Sequence, residues 1–259
     1  MEIHFYKYQG TGNDFIIIDN RNLDFPKNNV ELVHKLCDRR FGIGADGLIL
    51  LEPSEKQDFS MIYYNADGKE GSMCGNGGRC IVAYAKKLNI IKSKTTFEAT
   101  DGLHFAEIEN DLVNLQMADV ENIEIHNTHT FLNTGSPHHV SFCDAVAILD
   151  VVELGSKIRY GAPYLEAGTN VNFVEQISEN SFKVRTYERG VENETLACGT
   201  GATAVAIAAN KTNKTAEERI YIEVLGGNLE VSFKKEGNCY KNVFLKGPAQ
   251  FVFEGKITV

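Results

Sequence analysis

Two short strings hold the residues best suited to chemistry: Cys74-Gly75-Asn76-Gly77 and Cys198-Gly199-Thr200-Gly201. Each sets a thiol directly before two glycines and runs into a segment of helical periodicity, residues 81–85 after the first and 202–209 after the second. The amides at a helix start attract anions and draw a thiol pKa from about 8.5 toward neutrality. Each string can therefore supply a thiolate, and the backbone N–H groups of Gly75, Asn76, Gly199 and Thr200 can hold a carboxylate beside it. An α-carbon flanked by both sulfurs would lose its proton to a thiolate on one face and regain one from a thiol on the other, which is stereoinversion. The carbanionic transition state needs oriented dipoles in a site closed to water, and helix-end amides provide these without pyridoxal phosphate or a metal. No lysine stands in a setting that suggests a Schiff base.

Competing readings of the same strings are weaker. Gly199-Thr200-Gly201-Ala202-Thr203-Ala204, with Glu217 and Glu218 further on, partly matches a dinucleotide-binding fingerprint. That motif must follow a buried strand directly, whereas the polar residues 190–195 intervene here. A buried small hydrophobe at a helix start is the natural reading of one such cysteine, but not of two in matched loops. Cys74 and Cys80 lack metal-ligand spacing and a second pair, so no metal site is expected. Cys37, Cys143 and Cys239 stand alone and receive no role.

The elements that position these loops repeat. Cys198 follows Cys74 by 124 residues (198 − 74), and the two following glycines keep that offset. Gly44-Ala45-Asp46 is answered by Gly168-Thr169-Asn170 at 124 residues, and Thr11-Gly12-Asn13 by Thr134-Gly135-Ser136 at 123. With 23 glycines any single match means little; the shared register implies two similarly folded halves. Strands are expected at residues 15–18, 48–51, 61–64, 139–142, 171–174 and 181–187, and helices at 30–39 and 151–159 as well as after each cysteine. The expected class is α+β: two pseudo-symmetric α/β lobes, mostly antiparallel strands around a central helix in each, with the active site in the cleft between lobes. The boundary is placed by the repeat, giving lobes 1–118 and 119–248, with segment 249–259 a candidate to return to the first.

At 259 residues the chain is long enough for two half-size domains. Apolar runs are far too short for a membrane helix, so no membrane partner is expected. The N-terminal residues lack the cationic and apolar regions of a secretory signal, which predicts a cytoplasmic protein with reduced thiols rather than a disulfide framework. With 26 Lys+Arg against 35 Asp+Glu, the net charge of −9 disfavours nucleic acid. A small molecule is the expected partner, with a homodimer the candidate assembly.

The strings Gly12-Asn13-Asp14-Phe15, Asn65-Ala66-Asp67-Gly68, Cys74-Gly75-Asn76-Gly77-Gly78-Arg79-Cys80, Pro137-His138, Tyr187-Glu188-Arg189-Gly190 and Ala197-Cys198-Gly199-Thr200-Gly201-Ala202 resemble the diaminopimelate epimerase family along nearly the whole chain. The resemblance implies interconversion of LL- and meso-2,6-diaminopimelate, on the bacterial route to lysine and peptidoglycan, by two thiols and without a cofactor. By position it makes Cys74 and Cys198 the acid/base pair and Gly75, Asn76, Gly199 and Thr200 the amides that hold the reacting carboxylate. It makes Asn13 a binding asparagine, and Asn65, Asn170 and Arg189 the groups that fix the distal end. Glu188 falls to the distal ammonium, and His138 to a supporting role. Arg can fork a carboxylate, which suits a substrate charged at both ends. Two departures stand out: the family's binding glutamine falls in Gly44-Ala45-Asp46-Gly47, where Gly47 offers no side chain, and a binding asparagine before Pro-His is Ser136. Among alternatives, a proline racemase or hydroxyproline epimerase would have no distal head for Glu188 and Arg189 to bind. A non-catalytic binding protein of the same fold would have no use for both cysteines.

Overall fold

The computed structural model of the chain describes residues 1–71 and 73–259. It divides into two compact units, residues 1–115 with 247–259, and residues 116–246.

In the first unit the elements run β1 (Glu2–Gly10), β2 (Asn13–Asp19), α1 (Val30–Cys37), β3 (Gly47–Glu52), β4 (Phe59–Asn65), α2 (Gly75–Lys87), β5 (Lys94–Ala99), β6 (Gly102–Glu109) and β7 (Leu112–Gln116). The second contains β8 (Ile123–Ile125), β9 (Thr130–Asn133), β10 (Pro137–Phe142), α3 (Val151–Tyr160), β11 (Asn170–Ser178), β12 (Ser181–Glu188), β13 (Asn193–Thr195), α4 (Gly199–Lys211), β14 (Arg219–Val224), β15 (Gly227–Glu236) and β16 (Cys239–Pro248). The last strand, β17 (Gln250–Thr258), belongs to the first unit, where it pairs antiparallel with β1.

Strand pairing makes the repeat explicit. In the first unit β17, β1, β2, β3, β4, β5, β6 and β7 are neighbours in that order, parallel only at β2/β3 and β4/β5. In the second, β8, β9, β10, β11, β12, β14, β15 and β16 follow the same order and are parallel only at β10/β11 and β12/β14. In both units this parallel pair joins residues 32 apart in the chain (47 − 15 and 170 − 138), Phe15 opposite Gly47 and His138 opposite Asn170. The turn glycines agree too. Gly12 and Gly135 have φ of 86° and 106°, and Gly44 and Gly168 have 83° and 63°, values at which a Cβ is strained.

The strands of each unit wrap one helix. α2 packs against β1, β2, β3, β6 and β17, and α4 against β9, β10, β11, β12, β14 and β15. A helix enclosed on all sides must be apolar or small all round. Ala202 and the stretch Ala204-Val205-Ala206-Ile207-Ala208-Ala209 meet that condition and are buried. β3 is buried along its whole length because helices cover both faces, α1 on one and α2 on the other. The strands expected from sequence fall within β2, β3, β4, β10, β11 and β12, and each expected helix is present.

Candidate active site

Cys74 and Cys198 are the N-cap residues of α2 and α4, each helix 13 residues long. Both cysteines are extended, with ψ of 129° and 113°, and neither side chain caps its own helix. The thiols thus lie at the positive end of a buried helix, where anions are favoured. Burial pushes the Cys37 and Cys80 thiols up to about 12, so neither of these two supplies a thiolate at neutral pH. All six cysteines are free thiols.

Around Cys74 the side chains form an oriented chain. Arg79, fully buried, donates to Asn76 Oδ1 (3.0 Å), Thr11 Oγ1 (3.2 Å) and the Gly75 carbonyl (3.4 Å). A guanidinium only donates, so the Asn76 oxygen faces it and the Asn76 amino group turns to Asn13 Oδ1 (3.1 Å). Asn13 in turn donates to the Asp46 carboxylate (2.6 Å), which only accepts. The Asn13 oxygen is therefore fixed toward the Cys74 thiol, which donates to it at 3.7 Å. Asp46 also pairs with Arg39 (2.7 Å), and Arg39 with Asp14 (2.7 Å). Burial raises the Asp14 carboxyl, but Arg39 and the buried Lys7 outweigh it and hold the group at about 2.

Around Cys198 the partners are different. Its sulfur lies 3.4 Å from Thr200 Oγ1, which is 2.9 Å from His138 Nε2. His138 is completely buried; burial, with the Arg189 charge adding to it, lowers the imidazole to about 3 and keeps it neutral. Its other nitrogen meets Asn172 Nδ2 at 3.1 Å. Gly201 permits this packing, since a Cβ there would come within 2.6 Å of Asn172 Oδ1 and 3.3 Å of Cys198 Sγ.

The other expected residues lie in the same two units. Asn65 is exposed at the end of β4. Asn170 is buried with both ends of its amide engaged: Nδ2 donates to the Pro137 carbonyl (3.2 Å) and Oδ1 accepts from the Arg189 amide (2.9 Å). The exposed Arg189 guanidinium donates to the Ala167 carbonyl (2.9 Å), and Glu188 accepts from Thr195 (2.9 Å). The Ser136 carbonyl closes the turn on the Thr134 amide (3.1 Å). At Gly47 a Cβ would fall 2.6 Å from the Tyr63 ring and 2.7 Å from the Tyr64 carbonyl, so the Tyr63 ring occupies the space a side chain there would need. Sequence reasoning did not single out Arg79, Asp46 or Asn172 as site residues. Arg79 and Asp46 sat inside quoted motifs, but Asn172 carried no signal beyond its place in a strand. Among the described residues no cluster of three or more His, Cys, Asp or Glu side chains is arranged to hold a metal ion.

The repeated strand order around one helix in each unit is that of a known class of two-lobed fold. A PhzF-family phenazine biosynthesis protein from Bacillus anthracis superposes with a TM-score of 0.79 at 14% identity, covering 100% of both chains. A hydroxyproline epimerase from Agrobacterium vitis superposes with a TM-score of 0.71 at 14% identity, covering 99% of this chain and 92% of that one. At these identities the likeness is one of fold. Sequence narrows it further: the diaminopimelate epimerase family model matches residues 5–123 and 130–252, and the chain belongs to that family. A diaminopimelate epimerase of Flavobacterium psychrophilum is 64% identical over 253 residues, covering 97% of this chain and 99% of the relative. Another, from Chlorobaculum tepidum, is 42% identical over 260 residues, covering 96% and 99%.

Proposed function

We propose that this chain is an isomerase that epimerises LL-2,6-diaminopimelate to the meso form with no cofactor, one cysteine removing the α-proton and the other returning a proton on the opposite face. The observation that carries the reading is the matched pair of thiols at the N-caps of two equivalent 13-residue helices, in a chain 64% identical to a relative of that name. In this reading Cys74 and Cys198 are the acid/base pair. Amides of Gly75, Asn76, Gly199 and Thr200 hold the reacting carboxylate and stabilise the charge that develops on it, the same dipoles that favour an anion at each helix start.

Asn13 lines the reacting end. Arg189, Asn65 and Asn170 serve the distal carboxylate, Asn170 by anchoring the Arg189 backbone, and Glu188 takes the distal ammonium. The Tyr63 ring over Gly47 closes the space where the family's glutamine would reach, and Ser136 leaves one hydroxyl in place of an amide. The enzyme works in the cytoplasm, where thiols stay reduced, and its assembly is a homodimer. No helix among the described residues is long and apolar enough to cross a membrane.

Chiral chromatography of LL-diaminopimelate incubated with the enzyme tests the reading, with L-proline and 4-hydroxyproline alongside. Conversion of diaminopimelate alone supports it; turnover of proline or hydroxyproline in its place overturns it. In deuterated water a single turnover of LL-diaminopimelate must place label at one α-carbon, the inverted one; repeated reversal through the symmetric LL form then labels the other.

A further inference from the structure

The hydrogen bonds on the far side of Cys198 have a direction that can be worked out from residues with no choice of role. Asn172 is fully buried on β11. Its Nδ2 lies 3.1 Å from the His139 carbonyl, an obligate acceptor, and its Oδ1 accepts from the Thr186 hydroxyl at 3.0 Å. The amide therefore cannot be turned over, and its second N–H points at His138 Nδ1, 3.1 Å away. Nδ1 must accept, so the single proton of a neutral imidazole sits on Nε2 and is donated to Thr200 Oγ1. With its oxygen occupied as acceptor, the Thr200 hydroxyl has its own proton to give, and the sulfur of Cys198 stands 3.4 Å away.

We propose that Asn172 and His138 are positioning residues that set the Thr200 hydroxyl as a fixed donor to Cys198 Sγ and so stabilise its thiolate. The relay supplies a dipole and moves no proton. The groups meeting the imidazole, Asn172 from β11 and Thr200 from α4, are neutral; the one charge acting on it is Arg189, which disfavours a second proton. Cys74, by contrast, donates to the side-chain carbonyl oxygen of Asn13 at 3.7 Å. The inference rests on the two-thiol reading for its catalytic meaning, but its test needs no substrate.

The test is the nitrogen-15 spectrum of His138 together with iodoacetamide labelling of the reduced, substrate-free protein from pH 5.5 to 9.5, read peptide by peptide by mass spectrometry. The expected spectrum has the proton on Nε2 across this range. Thr200→Val, which keeps the shape and removes the hydroxyl, should label Cys198 about tenfold more slowly at pH 7, the size of one hydrogen bond to a charged group. Thr200→Ser should restore the rate. Asn172→Asp puts an acceptor opposite Nδ1, shifts the imidazole proton there and should slow labelling as Thr200→Val does. A proton on Nδ1 in the unaltered protein, or equal labelling of Cys198 in Thr200→Val, would overturn the proposal. The spectrum decides even if a variant does not fold. If the predicted tautomer and labelling hold while diaminopimelate is not epimerised, the relay stands and the proposed function is what fails.

Discussion

Two buried histidines should make this protein sensitive to mild acid, and His139 offers the cleaner test because it lies outside the proposed site. Its Nδ1 meets the Tyr164 hydroxyl at 2.9 Å and its Nε2 the Ser141 hydroxyl at 2.8 Å, while its ring stacks on His129 at 4.0 Å. Burial, with the charges of His129 and His126 adding to it, lowers His139 from 6.5 to about 3, and His138 is lowered to the same value. Between these limits the unfolded chain binds protons that the native state excludes. Stability is therefore complete above pH 6.5, falls as the pH drops through 6.5, and goes on falling until about pH 3. At 1.36 kcal/mol per unit, going from pH 7.5 to 5.0 removes about 2 kcal/mol per histidine, about 4 for the pair. That is a large share of a typical stability of roughly 5–15 kcal/mol. Urea unfolding at the two pH values, for the unaltered protein and for His139→Gln, isolates one histidine. The drop in stability should be smaller in the variant by about 2 kcal/mol, whatever the substitution costs at pH 7.5. Equal drops in the two proteins would refute the assignment of His139 as a buried neutral ring.

Cys74→Ala and Cys198→Ala should each abolish epimerisation in the chiral assay, since each removes the proton donor or acceptor on one face; near-normal turnover in either would end the two-thiol reading. Gly201→Ala drives a methyl to 2.6 Å from Asn172 Oδ1, so activity should fall sharply and urea unfolding should register a loss of about 1–3 kcal/mol. Gly47→Gln should destabilise by a similar amount and raise the KM for diaminopimelate, because its Cβ meets the Tyr63 ring at 2.6 Å; a lowered KM would show that the ring yields. Activity should also decline in aerated buffer and return with dithiothreitol, the recovery tracked by thiol titration.

Much of the architecture was legible in the chain itself. The register shared by Gly12, Gly44 and Cys74 with Gly135, Gly168 and Cys198 announced a repeat because positive-φ turns and helix N-caps restrict residue type locally, and local restrictions survive in sequence. Alternation and apolar runs located the central strands for the same reason. β1, β5 through β9 and β13 through β16 were harder to see, because their stabilising contacts come from neighbours distant in the chain. What only tertiary structure decided is the polarity of the hydrogen bonds that meet the two sulfurs. An asparagine amide or an imidazole is both donor and acceptor by composition; its role follows from an obligate partner placed against it, Asp46 and Arg79 for the chain that reaches Cys74, the His139 carbonyl for the chain that reaches Cys198. Those partners lie on different strands and loops, so no local string records them, and residues such as Asn172 acquire a role only when folding brings them there.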